Sequence, residues 1–166
     1  MKEIPTFAIV PVRSAGDLSS VKELFRDYAA SLDVDLSYQN FDAEMDAMPG
    51  KYSPPAGELL LARDASGRPG GCVALRPLDI PGCCEMKRLY VAPVGRGVGL
   101  GKRLVQAAIT AAERIGYREM RLDTLPTMIG AIALYDKLGF ERIEPYYDTP
   151  VSGTVFMRRR WDASAT

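Results

Sequence analysis

An α/β fold with a sheet of mixed strand direction is what this sequence predicts, on three observations. In the first half, apolar runs of strand length are separated by Gly/Pro turns, as in antiparallel hairpins. In the second half, strand-like runs alternate with segments whose apolar residues recur at three- and four-residue steps, as in helices laid against a sheet. The length, 166 residues, suits one domain over 1–166 that buries roughly 70% of its unfolded surface. A content of 47% hydrophobic and 25% charged residues places it among ordinary globular proteins.

Residues 7–12 are a short apolar run and the first strand. Asp17 is placed to cap a helix whose Leu18, Val21, Leu24, Phe25, Tyr28 and Leu32 form one apolar stripe. Residues 31–57 are less regular, with a short helix near 41–48. This segment carries Asp33, Asp35, Asp42, Glu44 and Asp46 against a single base, Lys51. It reads most simply as a solvated acidic loop; its functional reading is attraction of a cationic amine. ELLLAR at 58–63, a turn over 64–69 and a partner strand over 71–75, stopped by Pro77, make a hairpin. After the Pro81-Gly82 turn comes a strand over 83–91. A helix over 99–115 places Leu100, Leu104, Val105, Ala108, Ile109, Ala112 and Ile115 on one side, and Gly116 suits its C-terminal cap. A strand over 119–124 and a helix over 128–138, stopped by Gly139, follow. Strands over 140–143 and 154–160 close the sheet around the loop PYYDTPVSG.

Composition excludes several classes of function. Lys plus Arg equals Asp plus Glu at 21 each, which makes no case for nucleic acid or a membrane surface as partner. No apolar run reaches the roughly 18 residues of a membrane span, and MKEIPTFAIV lacks the apolar core of a signal peptide, so a cytoplasmic location is expected. Histidine is absent, which removes Ser-His-Asp and Cys-His arrangements and His-bearing metal sites. General base chemistry then falls to carboxylates, Tyr, Lys or Cys. Cys72, Cys83 and Cys84 lack metal-ligand spacing and read as small core residues in a reducing compartment; no metal is expected.

The most informative stretch is EMKRLYVAPVGRGVGLG at 85–101. It runs from a strand through Pro93 and Gly95 into alternating Gly97, Gly99 and Gly101, just where a helix begins. Glycines without side chains let backbone N–H groups converge on an anion, and the helix dipole adds about +0.5 charge there. A phosphate-bearing ligand suits the place. Spacing rejects a P-loop, because Arg96 stands where its first glycine belongs and Arg103 follows Lys102. It also rejects the Gly-x-Gly-x-x-Gly dinucleotide fingerprint, because Leu100 or Lys102 falls at the third glycine.

Arg96-Gly97-Val98-Gly99-Leu100-Gly101 instead resembles the Arg/Gln-x-x-Gly-x-Gly/Ala signature of the GNAT superfamily of N-acetyltransferases. Residues 131–140, AIALYDKLGF, resemble that family's second signature, Ala-x-x-Leu-Tyr-x-x-x-Gly-Phe. The predicted element order is also that of the family, so the resemblance covers nearly the whole chain. It implies a GNAT-like, mostly antiparallel sheet of about seven strands with helices on both faces. The implied activity is acetyl transfer from acetyl-coenzyme A to a small-molecule or peptide amine by direct transfer in a ternary complex. A non-catalytic coenzyme A-binding module, and use of another acyl group or an oxygen acceptor, are the alternatives; homodimerisation stays open. One departure stands out: Met128 occupies the position, three residues before Ala131, where the family often has Asn.

Residue roles follow from the resemblance and from the chemistry of the transfer. An alkyl ammonium near pKa 10.4 costs about 4.6 kcal/mol to deprotonate at neutral pH, whereas a thiolate near 8.5 costs about 2 kcal/mol. Handling the amine proton is therefore the larger task. Glu85 sits where many members of the family place a glutamate acting through ordered water; its alternative reading is a surface partner for Lys87 or Arg88. Asp123 is the second-choice carboxylate. Tyr135 falls where the family places a tyrosine beside the departing sulfur, and hydrogen bonding to the thiolate is its assigned role. Backbone groups of Leu89, Tyr90 and Val91 resemble those that pair with the pantetheine amides. The N–H groups of Gly97, Val98, Gly99, Leu100, Gly101 and Lys102 are assigned to the pyrophosphate, with Arg96 and Lys102 the nearest fixed positive charges. Tyr146, Tyr147 and Asp148 lie in the last loop, which in this family often shapes acceptor specificity.

Overall fold

Apolar runs buried on both faces form the central strands of the sheet in this computed structural model, which describes residues 4–161. Its strands are β1 (Phe7–Pro11), β2 (Glu58–Asp64), β3 (Pro69–Pro77), β4 (Cys83–Val91), β5 (Glu119–Thr124), β6 (Glu141–Ile143) and β7 (Val155–Arg160). They lie in the order β1-β2-β3-β4-β5-β7-β6. Every neighbouring pair is antiparallel except β4 and β5. The predicted mixed, mostly antiparallel seven-stranded sheet is the observed one. Among the described residues four α-helices accompany it: α1 (Ala15–Ser31), α2 (Phe41–Ala47), α3 (Leu100–Ile115) and α4 (Ile129–Lys137).

Helix α1 begins one turn earlier than predicted. Ser14, in extended conformation, is its N-cap and accepts from the Asp17 N–H, so Asp17 sits in the first turn beside the helix dipole and is not the cap. Asp17 pairs with Arg63 of β2 at 2.8 Å. The strand opposite β2 is longer than predicted, because pairing of Arg63 with Pro69 extends the hairpin to its turn.

The helices occupy both faces of the sheet. One core lies under α3 and α4 and gathers Val73, Leu75, Met86, Met120 and Leu122 from the strands with Leu104, Val105, Ala108 and Ala112 from α3. Full burial of each Leu, Val or Met side chain contributes about 1.5–3 kcal/mol. The other lies under α1 and α2 and joins Val21, Leu24, Phe25 and Met45 to Leu59, Leu61, Cys72 and Ala74. Cys72, Cys83 and Cys84 are buried free thiols.

Two irregularities at the sheet centre position the site. Cys72 pairs with Tyr90 but Ala74 with Lys87, so β4 carries a bulge, and Arg88 within it has φ 60°. The parallel pairing of β4 with β5 covers only Cys83 to Glu85 against Glu119 to Arg121. Beyond Glu85 the two strands part. No helix among the described residues is long and apolar enough to cross a membrane.

Candidate active site

Where β4 leaves β5, a narrow cleft of ≈ 50 Å³ opens through the sheet. That is room for a small number of waters at about 10–15 Å³ each. Lys87, Leu89, Asp123, Met128, Tyr135 and Gln39 are among the residues facing it. Tyr135 comes from α4, is 6% exposed, and stacks its ring 5.7 Å from Phe140 in a tilted pair. Burial pushes its phenol above the usual tyrosine value, so it is a hydrogen-bond donor throughout the neutral range. Met128 puts an apolar side chain on the cleft wall.

At the end of β4 the chain makes a 3₁₀ turn at Pro93–Gly95 and then enters α3 through the glycine loop. Gly97 and Gly99 have φ of 81° and 74°, conformations that residues with a Cβ rarely adopt, and both face open space. The N–H groups of Gly95 and Arg96 are spent on Ala92 and Pro93 carbonyls. Among the described residues, those of Gly97, Val98, Gly99, Leu100, Gly101 and Lys102 donate to no backbone acceptor, and α3 has no side-chain cap. Six consecutive donors therefore surround the positive end of a 16-residue helix. Leu100 contributes its N–H only, because its side chain is core at 1% exposed. Arg96 folds back, Nε donating to the Val91 carbonyl at 3.1 Å, while Lys102 is exposed. Tyr90 turns its ring to Tyr28 on the α1 side.

On the α1–α2 face, buried charges from β3, β4 and β5 form a connected network. Glu85 is 1% exposed and is no surface partner of Lys87 or Arg88. Its Oε1 accepts from Arg76 of β3, Nε at 2.9 Å and Nη2 at 2.8 Å, and its Oε2 accepts from the Tyr146 hydroxyl at 2.5 Å. Asp123 mirrors it on β5: its Oδ2 accepts from the Tyr147 hydroxyl at 2.7 Å, and Lys87 Nζ lies 3.6 Å from Oδ1. The two adjacent tyrosines thus cap the two carboxylates, each its own. Burial pushes both phenols up, and the neighbouring carboxylate adds to the effect. Burial likewise lowers the Lys87 ammonium below the usual lysine value, with Asp123 and Glu85 opposing that shift.

Three members of this network had no place in it assigned from the sequence, although Glu44 was named within the acidic segment. Gln39, on a short 3₁₀ helix at Leu36–Gln39, accepts from Arg88 Nη1 at 2.8 Å and Lys87 Nζ at 3.3 Å. It donates to the Tyr147 hydroxyl at 3.3 Å and to Asp123 at 3.4 Å, tying the α1–α2 segment to both central strands. Glu44 of α2 holds the 5%-exposed Arg88 at 3.1 Å and accepts from Tyr52 at 2.7 Å, so it is not part of a solvated loop. Arg76 is the cross-strand neighbour of Glu85. Asp148 is exposed, apart from this network. Of the predicted pair, Tyr135 faces the cleft while Glu85 lies beside it behind Arg76 and Tyr146; Asp123 faces the cleft itself. Among the described residues, no group of three His, Cys, Asp or Glu could hold a metal ion.

With this geometry in hand, comparison with known proteins is specific. The model of the acetyltransferase (GNAT) family matches residues 19–140. An uncharacterised N-acetyltransferase of Schizosaccharomyces pombe is 44% identical over 158 residues, covering 95% of this chain and 97% of its own. An uncharacterised N-acetyltransferase of Escherichia coli is 32% identical, covering 77% of this chain and 78% of its own. Among solved structures, a GNAT-family acetyltransferase from Staphylococcus aureus superposes with a TM-score of 0.77 at 19% identity, over 93% of this chain and 99% of that one. The Salmonella typhimurium protein yncA, solved with its cofactor acetyl-CoA, superposes with a TM-score of 0.68 at 20% identity, over 96% of each chain.

Proposed function

Because the chain belongs to the GNAT acetyltransferase family, we propose that it transfers the acetyl group of acetyl-coenzyme A directly to an amine. The observation that carries this reading is the run of six uncommitted N–H groups, residues 97–102, at the start of α3 beside the cleft that Tyr135 faces. A phosphate-rich ligand fits such a cradle with no side chain to displace. The Salmonella structural neighbour with acetyl-CoA points the same way. When bound, acetyl-coenzyme A supplies an acetyl group already activated as a thioester.

The chain's own residues then divide the work. The N–H groups of residues 97–102 hold the diphosphate, with Arg96 and Lys102 the neighbouring positive charges. The edge of β4 that β5 leaves unpaired, through Leu89, Tyr90 and Val91, offers backbone groups to the amide-bearing arm as an added strand would use them. Tyr135 donates its hydroxyl hydrogen to the departing sulfur without having to give up the proton. The amine proton passes to Glu85 by way of Tyr146 or water, the larger of the two proton tasks. Asp123, with Tyr147, is the competing base and lies nearer the cleft. Lys87 and Gln39 fix Asp123 in place.

Thiol release from acetyl-coenzyme A across a panel of amines, peptides and antibiotics tests the proposal. At least one amine is expected to raise release well above hydrolysis. Cofactor binding with no amine raising release would refute turnover and leave a binding module.

A further inference from the structure

One row of side chains crosses five strands on the α1–α2 face. Register partners run Arg76 to Glu85, Glu85 to Arg121, Arg121 to Arg158, and Arg158 to Glu141. Directly paired residues share a face, so Arg121 and Arg158 stand side by side with like charge, an arrangement that costs stability. Each turns its Nε to a carboxylate, Arg121 to Glu119 along its own strand and Arg158 to Glu141 at 2.8 Å. Those bonds leave both sets of terminal nitrogens without a hydrogen-bond acceptor among the described residues. Arg142, exposed on the edge strand β6, has no ion-pair partner there either; paired with Met157 of the α3–α4 core, it starts from the opposite face and borders the hollow at the free edge of the sheet.

The three arginines line one open hollow of ≈ 590 Å³, with Ile143, Pro145 and Tyr146 as its less polar wall. The Tyr146 ring lies 5.5 Å from the Arg121 guanidinium carbon, and its hydroxyl ends on Glu85. One tyrosine is therefore both the wall of the cationic hollow and the partner of the buried carboxylate. Guanidinium forks with free terminal nitrogens match a carboxylate in shape and charge, and they disfavour a second cation.

We propose that this hollow is the acceptor's anion subsite: the amine acetylated here also carries a carboxylate, held by Arg121, Arg142 and Arg158 while the amine points past Tyr146 toward Glu85. This rests on the acetyltransferase reading above and narrows its substrate class. In the transfer, the nitrogen–acetyl carbon bond forms as the carbon–sulfur bond breaks. Of the two protons the ammonium loses, one ends on the thiol and one leaves through the Glu85–Tyr146 pair to solvent. Acidic groups near the hollow do not cancel its charge, with Arg76, Arg121, Arg142, Arg158 and Arg160 facing Glu85, Glu119, Glu141 and Glu144.

Matched acids and amides of equal size that differ in their only carboxylate provide the test: β-alanine against β-alaninamide, and 4-aminobutyrate against 4-aminobutyramide, with saturating acetyl-coenzyme A and the full chain. KM for the acid is expected to be about tenfold or more below that for the amide, as loss of one charge-assisted contact would give. Arg142→Gln and Arg158→Gln should each raise the acid's KM about tenfold and leave the amide's in place. Equal KM values for acid and amide, or an acid–amide ratio that neither variant changes, would overturn the subsite while leaving acetyl transfer to other amines standing. Should no amine be acetylated at all, the transferase reading fails, and calorimetric titration of β-alanine decides the subsite by itself. Tenfold weaker binding by Arg142→Gln than by wild type would support it; equal or undetectable binding by both would overturn it.

Discussion

Replacing Tyr135 by Phe separates its two roles. The ring packs on Phe140 and stays, while the hydroxyl makes no hydrogen bond within the protein among the described residues. Its loss therefore forfeits no native bond, and stability should change by less than about 1 kcal/mol. A hydrogen bond to a charged group contributes about 1.5–3 kcal/mol, and sulfur becomes a strong acceptor only as it leaves as thiolate. The variant should then lose about 10- to 150-fold in kcat, with KM for both substrates nearly unchanged. Because burial raises this phenol above its usual value, it donates over the whole neutral range, and the shape of the pH–rate profile should survive the substitution. Thiol release gives kcat and KM, and urea unfolding gives the stability control. A kcat within twofold of wild type, or a stability loss of several kcal/mol with activity tracking the folded fraction, would refute the role and make Tyr135 a core residue.

Other consequences are equally open to measurement. Glu85→Gln should lower kcat by about 100-fold or more and flatten the pH–rate profile, whereas Asp123→Asn should keep the profile; the reverse pattern would transfer the base role to Asp123. A Cβ at Gly95 would lie 2.6 Å from the Gly70 carbonyl oxygen and 2.8 Å from Leu100, so Gly95→Ala should destabilise by about 1–3 kcal/mol through overpacking. Gly97→Ala meets open space and costs only the left-handed backbone strain of about 1–2 kcal/mol, so its main effect should appear as weaker coenzyme A binding by calorimetry. Unchanged binding there would count against the cradle. Burial opposes ionisation of Glu58, but hydrogen bonds from Arg13, the Leu59 N–H and Arg114 outweigh it and hold its carboxyl below the usual 4.5. The folded state then binds fewer protons than the unfolded state in that window. The Glu58 contribution is present above about 4.5 and lost as pH falls through the folded value, so Glu58→Gln should flatten the acid side of the urea midpoint–pH curve.

How far the sequence was legible depended on how local the cause was. Strands β4 and β5 begin and end where periodicity and turn residues put them, because Pro81-Gly82, Pro93 and Gly116 mark them within a few residues. The glycine loop stood out by its own spacing, whereas Tyr135 was singled out only through the resemblance to the family's second signature; the structure puts the loop at the start of α3 and Tyr135 on α4. The start of α1 was misplaced because Ser14 and Asp17 are both good caps, and only the extended φ/ψ of Ser14 chooses between them. What escaped was long-range. Gln39 meets Asp123 across 84 positions, and Glu44 meets Arg88 across 44; neither segment's composition reveals the partner. The bulge at Arg88 also hid the register, turning a residue that reads as solvent-facing into a buried cation.

The cradle itself can be observed one amide at a time. Titrating coenzyme A into isotopically labelled protein should move the backbone N–H resonances of Gly97, Val98, Gly99, Leu100, Gly101 and Lys102 downfield together, with one shared affinity. Resonances in this loop that stay fixed while others elsewhere respond would place the diphosphate somewhere else and contradict the account.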